Sequence, residues 1–159
     1  MTPENIFVKM QSSITNQDGV SVFSRKNLQS ALDQGEMKAN ELGVGVTMCI
    51  TDAYAQPILT YHMPNANMVS AVLAPKKAWS AVAMKMPTKE VGPQIQPGQP
   101  LYEMETMLDG KLVSFAGGIP VVVNNQIIGS VGVSGGAVEE DQAICESIVE
   151  YIMKGIKYG

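Results

Sequence analysis

The sequence predicts a single α/β domain of the α+β type, an antiparallel sheet flanked by helices. Two observations carry this. Val44 to Thr51 and Pro57 to Met63 are strand-like runs separated by a short turn, and so are Val121 to Val123 and Ile127 to Val133. Strands joined so tightly pair antiparallel, because a parallel pair needs a long crossover. The remaining apolar residues recur at the three-to-four spacing of helices that bury one face. A chain of 159 residues is the usual length of one such domain.

Residues 1–23 read as an appendage, and 24–159 as the domain. In the appendage Thr2-Pro3-Glu4 is a helix-start signal, and Ile6, Phe7, Met10 and Ile14 then share one face. Asn16 to Gly19 breaks that helix. The appendage is expected to be dispensable for folding and to dock on a neighbouring subunit or another protein. A helix follows from about Arg25 to Leu42, with Leu28, Ala31, Leu32, Gly35 and Ala39 inward and Gly43 closing it. Val44, Val46, Met48 and Ile50 then alternate with Gly45, Thr47, Cys49 and Thr51. Asp52 to Gln56 turns the chain. On the partner strand Leu59, Tyr61 and Met63 take one face and Ile58, Thr60 and His62 the other.

Asn67 to Met86 reads as helical, with Val69, Val72, Leu73, Trp79, Val82 and Met86 among its apolar positions. Pro75 inside it is expected to kink or restart it. Pro87 to Pro100 is a loop-rich stretch, Leu101 to Leu108 a short helix and Asp109-Gly110 a turn. Asn124-Asn125, two residues that tolerate left-handed backbone, predict a tight type I′ hairpin. Ser134-Gly135-Gly136 ends the last strand. The final helix, Ala137 to about Lys157, carries Glu139, Glu140 and Asp141 at its positive end and Lys154 and Lys157 at its negative end. Cys145, Ile148, Val149, Ile152 and Ile156 form its buried stripe.

A net charge of −4 provides no basic stripe to neutralise phosphates, which argues against a nucleic-acid partner. No apolar run reaches the roughly 20 residues needed to span a bilayer, and the start has no signal-peptide pattern, so the expected compartment is the cytoplasm. A charged fraction of 16% is low for a monomer's surface and points to self-association. Cys49 and Cys145 are too far apart for a C-x-x-C site and read as free thiols.

The chain has no recognisable catalytic set. With one histidine in the sequence, a Ser-His-Asp triad would have to combine His62 with Ser70 or Ser80 and Asp52, at spacings that give it no support. His62 is the residue suited to a metal, and a haem iron needs just one protein ligand. Met63, Met68, Met84 and Met86 flank or lie in the strand–helix unit that carries it, and methionine suits flat apolar ligands as well as ordinary core filling. Gly135, Gly136, Ala137 and Val138 are a candidate anion seat, because free amides at a helix start hold carboxylate or phosphate. Glu139 and Glu140 beside them oppose an anion.

Several motifs occur together and in order. They are Lys77-Ala78-Trp79-Ser80-Ala81, Pro87-Thr88-Lys89-Glu90, Gln96-Pro97-Gly98-Gln99-Pro100-Leu101-Tyr102, Phe115-Ala116-Gly117-Gly118-Ile119-Pro120 and the stretch from Ile128 to Gly136. Over about residues 25–152 the chain resembles the GlcG/HbpS family, described as haem-degrading or haem-binding, to which the C-terminal domain of PduO-type corrinoid adenosyltransferases is a close relative. The resemblance implies a profilin-like antiparallel sheet with flanking helices, a symmetric homo-oligomer that is often an octamer, and haem binding in some members. Other members accompany glycolate, diol or cobalamin metabolism. No shared enzymatic mechanism comes with the resemblance. The family commonly has Arg-Met-Asp where His62-Met63-Pro64 stands, so His62 inherits no role from that arginine.

The leading expectation is an oligomeric haem- or tetrapyrrole-binding accessory protein, with haem ahead of cobalamin. Its candidate haem residues are His62, as iron ligand, with Met63 and Met68. The alternatives are an enzyme or sensor for a small organic acid, seated at Gly135 and Gly136, and an assembly module of a microcompartment.

Overall fold

The computed structural model describes residues 23–158. The appendage helix expected at Ile6 to Ile14 lies outside the described residues. Helix α1 (Arg25–Leu42) leads into strands β1 (Thr47–Asp52) and β2 (Pro57–His62). Helix α2 (Met68–Met84) and a loop region follow, the latter containing the short helices α3 (Thr88–Val91) and α4 (Met104–Met107). Strands β3 (Gly118–Val123) and β4 (Gln126–Ser134) and the long helix α5 (Val138–Tyr158) complete the domain. The four strands form one sheet in the order β2-β1-β4-β3, with antiparallel pairing throughout. Each sequence-adjacent pair is a hairpin, and the two hairpins join through β1 and β4. This is the α+β architecture that the two hairpin signals predict.

The local signals work as their chemistry requires. Ser24 Oγ accepts from the Asn27 amide and caps α1, and Gly43 ends the helix in the left-handed region at φ 73°. Asn124 and Asn125 hold the β3–β4 turn at φ 51° and 62°. The main core lies between the sheet and α1 with α5. There Met48, Ile50, Val121, Val131 and Val133 meet Leu28, Leu32, Ile144, Ile148 and Ile152. Phe23, assigned to the appendage from sequence, packs against this core.

Helix α2 covers the other face. Val69 and Val72 are exposed, while the buried positions are Ser70, Ala74, Lys77, Ala78, Ser80 and Ala81. The helix lies so close to the sheet that a Cβ added at Gly132 would stand 2.1 Å from the Ala74 carbonyl oxygen. Small residues are the ones that fit such a contact. Pro75 does not restart the helix, which runs unbroken from Met68 to Met84. The stretch read as loop, Pro87 to Pro100, contains α3 and a 3₁₀ turn at Gly92–Gln94, and the helix expected over Leu101 to Leu108 is confined to Met104–Met107.

Lys77 is fully buried under α2. Its Nζ donates to Asp141 Oδ2 and to the Val133 carbonyl, both at 2.8 Å, and lies 5.0 Å from the centre of the Phe115 ring. Asp141, read from sequence as a helix-dipole residue, is therefore also half of a buried ion pair. Burial pushes its carboxyl above the usual carboxylate value, against the pull of Lys77 and of the Gly136 and Gly135 amides.

Candidate functional site

Helix α2 packs on β4, β1 and β3. The face of β2 that carries Ile58, Thr60 and His62 is exposed. Strand alternation puts these three side chains on that face and sends Leu59 and Tyr61 to the core. His62 is the last residue of β2 and pairs with Thr47, the first of β1. Its Nδ1 lies 2.6 Å from Thr47 Oγ1, which lies 2.7 Å from Ser70 Oγ in the first turn of α2. Ser70 Oγ in turn donates to the Asn67 carbonyl at 2.5 Å. Thr47 and Ser70 are buried, whereas His62 is exposed, so the ring is held from behind and open in front.

Asn67 ties this corner together. Its Oδ1 caps α2 by accepting from the Ser70 amide at 2.8 Å, and its Nδ2 donates to the Gly135 carbonyl at 3.3 Å. The two regions singled out from sequence, around His62 and around Gly135, are thus neighbours at one end of the sheet. Asn67 had a legible signal as an asparagine at a helix start. Its reach to Gly135 had none, because those residues are 68 positions apart.

The candidate haem residues separate. Met63 is 2% exposed and belongs to the main core, on the sheet face opposite His62. Met68 is 87% exposed at the start of α2, two residues from Ser70. Val69 and Val72 on the same helix and Ile58 on the His62 face of β2 are exposed as well.

At the candidate anion seat, the Gly136 amide donates to Asp141 Oδ1 at 2.9 Å and the Ala137 amide to Glu140 Oε2 at 2.7 Å. The chain's own carboxylates thus occupy two of the amides that an external anion would need. Gly135, at φ 139°, packs against the Gly45 carbonyl, and Val138 begins α5.

A Ser-His-Asp triad is not assembled. Ser70 reaches His62 only through Thr47, and Asp52 stands at the far end of β1, where its Oδ1 accepts from the Tyr54 and Gln56 amides. Ser80 Oγ donates to the Lys76 carbonyl and accepts from the Val113 amide. Among the described residues, no three His, Cys, Asp or Glu side chains gather to hold a metal ion. Among the same residues, no helix is long and apolar enough to cross a membrane. Cys49 and Cys145 are buried free thiols, and burial pushes both above the ordinary thiol value.

This domain, with an antiparallel sheet, a small-residue helix on one face and an open histidine at its corner, has clear relatives. Residues 23–150 match the model of the family described as haem degrading protein HbpS-like, and the chain belongs to that family. The corrinoid adenosyltransferase PduO of Citrobacter freundii is 39% identical over 94% of this chain. The chain spans 44% of that relative's length. Protein GlcG of Escherichia coli K12 is 26% identical over 71% of this chain and 81% of its own. Among solved structures, that of a PduOC–haem complex superposes with a TM-score of 0.79 at 40% identity, over 81% of this chain and 94% of the other.

Proposed function

We propose that this protein binds haem, with His62 as an axial iron ligand, in a homo-oligomer that covers the open face of β2 and α2. One observation carries the reading. His62 is exposed, yet its Nδ1 is held at 2.6 Å by the buried Thr47 hydroxyl, which leaves Nε2 as the outward nitrogen. A metal-bound histidine is characteristically fixed in this way through its other ring nitrogen. The donor set suits haem: one open imidazole, with exposed apolar side chains on its own strand face at Ile58 and in the first turns of α2 at Met68, Val69 and Val72. The haem complex of a relative 40% identical supports the same ligand class. When bound, haem would supply redox or gas-ligand chemistry at its iron. The chain's own part is to present the imidazole and shelter the porphyrin. Self-association is supported by the same exposed apolar surface, which a second protomer would cover.

The test is an absorbance titration of the wild type and of His62→Ala, with haem and in parallel with cobalamin. A ligated Soret band in the wild type that is lost in the variant supports the assignment. An unchanged spectrum and affinity in His62→Ala moves the site elsewhere. Uptake of cobalamin and not haem replaces the ligand, and uptake of neither overturns the function.

A further inference from the structure

We propose that Thr47 and Ser70 form a one-way hydroxyl relay that holds neutral His62 in its Nδ1–H tautomer, which makes Thr47 the residue that positions this imidazole. The number of hydrogens available fixes the direction. Three short contacts run in series, from His62 Nδ1 to Thr47 Oγ1 at 2.6 Å, on to Ser70 Oγ at 2.7 Å, and on to the Asn67 carbonyl at 2.5 Å. Each needs one hydrogen between its heavy atoms, since bare lone pairs that close repel. The Asn67 carbonyl has none to give, so the Ser70 hydroxyl donates to it. The Ser70 oxygen must then accept, and the Thr47 hydroxyl spends its one hydrogen there. What remains for the contact to His62 is a hydrogen on Nδ1. The neutral ring therefore carries its proton inward and its lone pair on Nε2, outward.

The relay is anchored as well as directed. Thr47 and Ser70 are 1% and 0% exposed, so water does not compete for their hydrogens. The terminal acceptor is the cap residue of α2, whose own side chain accepts from the Ser70 amide and donates to Gly135. Residues on β1, β2 and α2 thus set the state of one imidazole, without a carboxylate. This rests on the haem reading only for its consequence, namely that the lone pair needed by an iron is already on the outward nitrogen.

The experiment reads the tautomer directly, without haem. The sequence contains one histidine. A protein purified without a histidine tag and labelled with ¹⁵N-histidine therefore gives a single imidazole pattern in a long-range ¹H–¹⁵N spectrum, recorded at alkaline pH. The expected result is a protonated, pyrrole-type Nδ1 and an unprotonated, pyridine-type Nε2. Ser70→Ala frees the Thr47 hydrogen to point at the ring, so it is expected to move the proton to Nε2. Thr47→Val removes the partner and is expected to do the same, while Thr47→Ser restores the wild-type pattern. A merely structural role for Thr47 would not move the proton between ring nitrogens. A wild-type ring protonated on Nε2, or a Thr47→Val ring still protonated on Nδ1, overturns the relay. In the haem arm Thr47→Val is expected to bind about 10- to 100-fold more weakly than wild type. If the tautomers behave as stated and haem ignores His62, the relay stands and the haem reading falls.

Discussion

Lys77 Nζ sits 2.8 Å from Asp141 Oδ2, with the two side chains 0% and 3% exposed. The pair joins the middle of α2 to the first turn of α5 across the end of β4. A buried pair of this kind offsets its desolvation only while both members are present. Lys77→Met alone leaves an unpaired buried carboxylate and is expected to cost about 3–5 kcal/mol. The double change Lys77→Met with Asp141→Leu is expected to recover most of that loss. Urea denaturation of the two single variants and the double variant checks it. Additive losses would show that the pair is not coupled.

Gly132 is expected to tolerate no side chain. A Cβ there would meet the backbone of α2 at the Ala74 oxygen and, 2.6 Å away, the Ala78 nitrogen. Backbone on both sides has little room to yield. Gly132→Ala should therefore lower stability by about 2–3 kcal/mol or more, read as a fall in the denaturation midpoint. A midpoint within error of wild type would mean that the helix can lift off the sheet.

Both thiols are expected to be inert in the native protein. Cys145 Sγ donates to the Val131 carbonyl at 3.3 Å, and burial pushes this thiol up, so it stays protonated and out of reach. Cys49 is buried between the sheet and α2. A chromogenic disulfide reagent at neutral pH should count no thiols in the folded chain and two after denaturation. Rapid reaction of the native protein would reveal an opening motion over α2 or α5.

The open apolar face should control assembly. Val69→Glu combined with Val72→Glu places charge on two exposed positions of α2 without touching its buried face. Light scattering is expected to show a smaller particle than the wild type at equal concentration, with unchanged circular dichroism. Equal masses would assign the contact to another surface.

Much of this could be read from the sequence where the signal is local. The Asn124-Asn125 turn, the glycine end of α1, the stripe of α5 and the alternation that separates His62 from Met63 each depend on residues within a few positions of one another. Helix α2 defeats the same method. Hydrophobicity alone would turn Val69 and Val72 inward, yet the helix seats Ser70, Ala74, Ala78 and Ala81 against the sheet, where Gly132 leaves no space for a larger side chain, and its one large buried residue is Lys77, paired with Asp141. The ladder behind His62 was equally hidden. Thr47 and Ser70 are 23 positions apart, and neither stands out until the fold brings them together.

The tight seat of α2 on the sheet has a consequence for how this domain can diversify. The helix is fixed through Ala74, Ala78 and Gly132, all buried, while Met68, Val69 and Val72 project into the open. Substitutions at the projecting positions carry the small stability cost usual for surface sites. The exposed side of α2 can therefore be rewritten almost independently of the scaffold. Exchanging residues at 68, 69 and 72 amounts to changing the tool while keeping the handle, which makes this face of α2 a natural starting point for engineering new recognition on an unaltered frame.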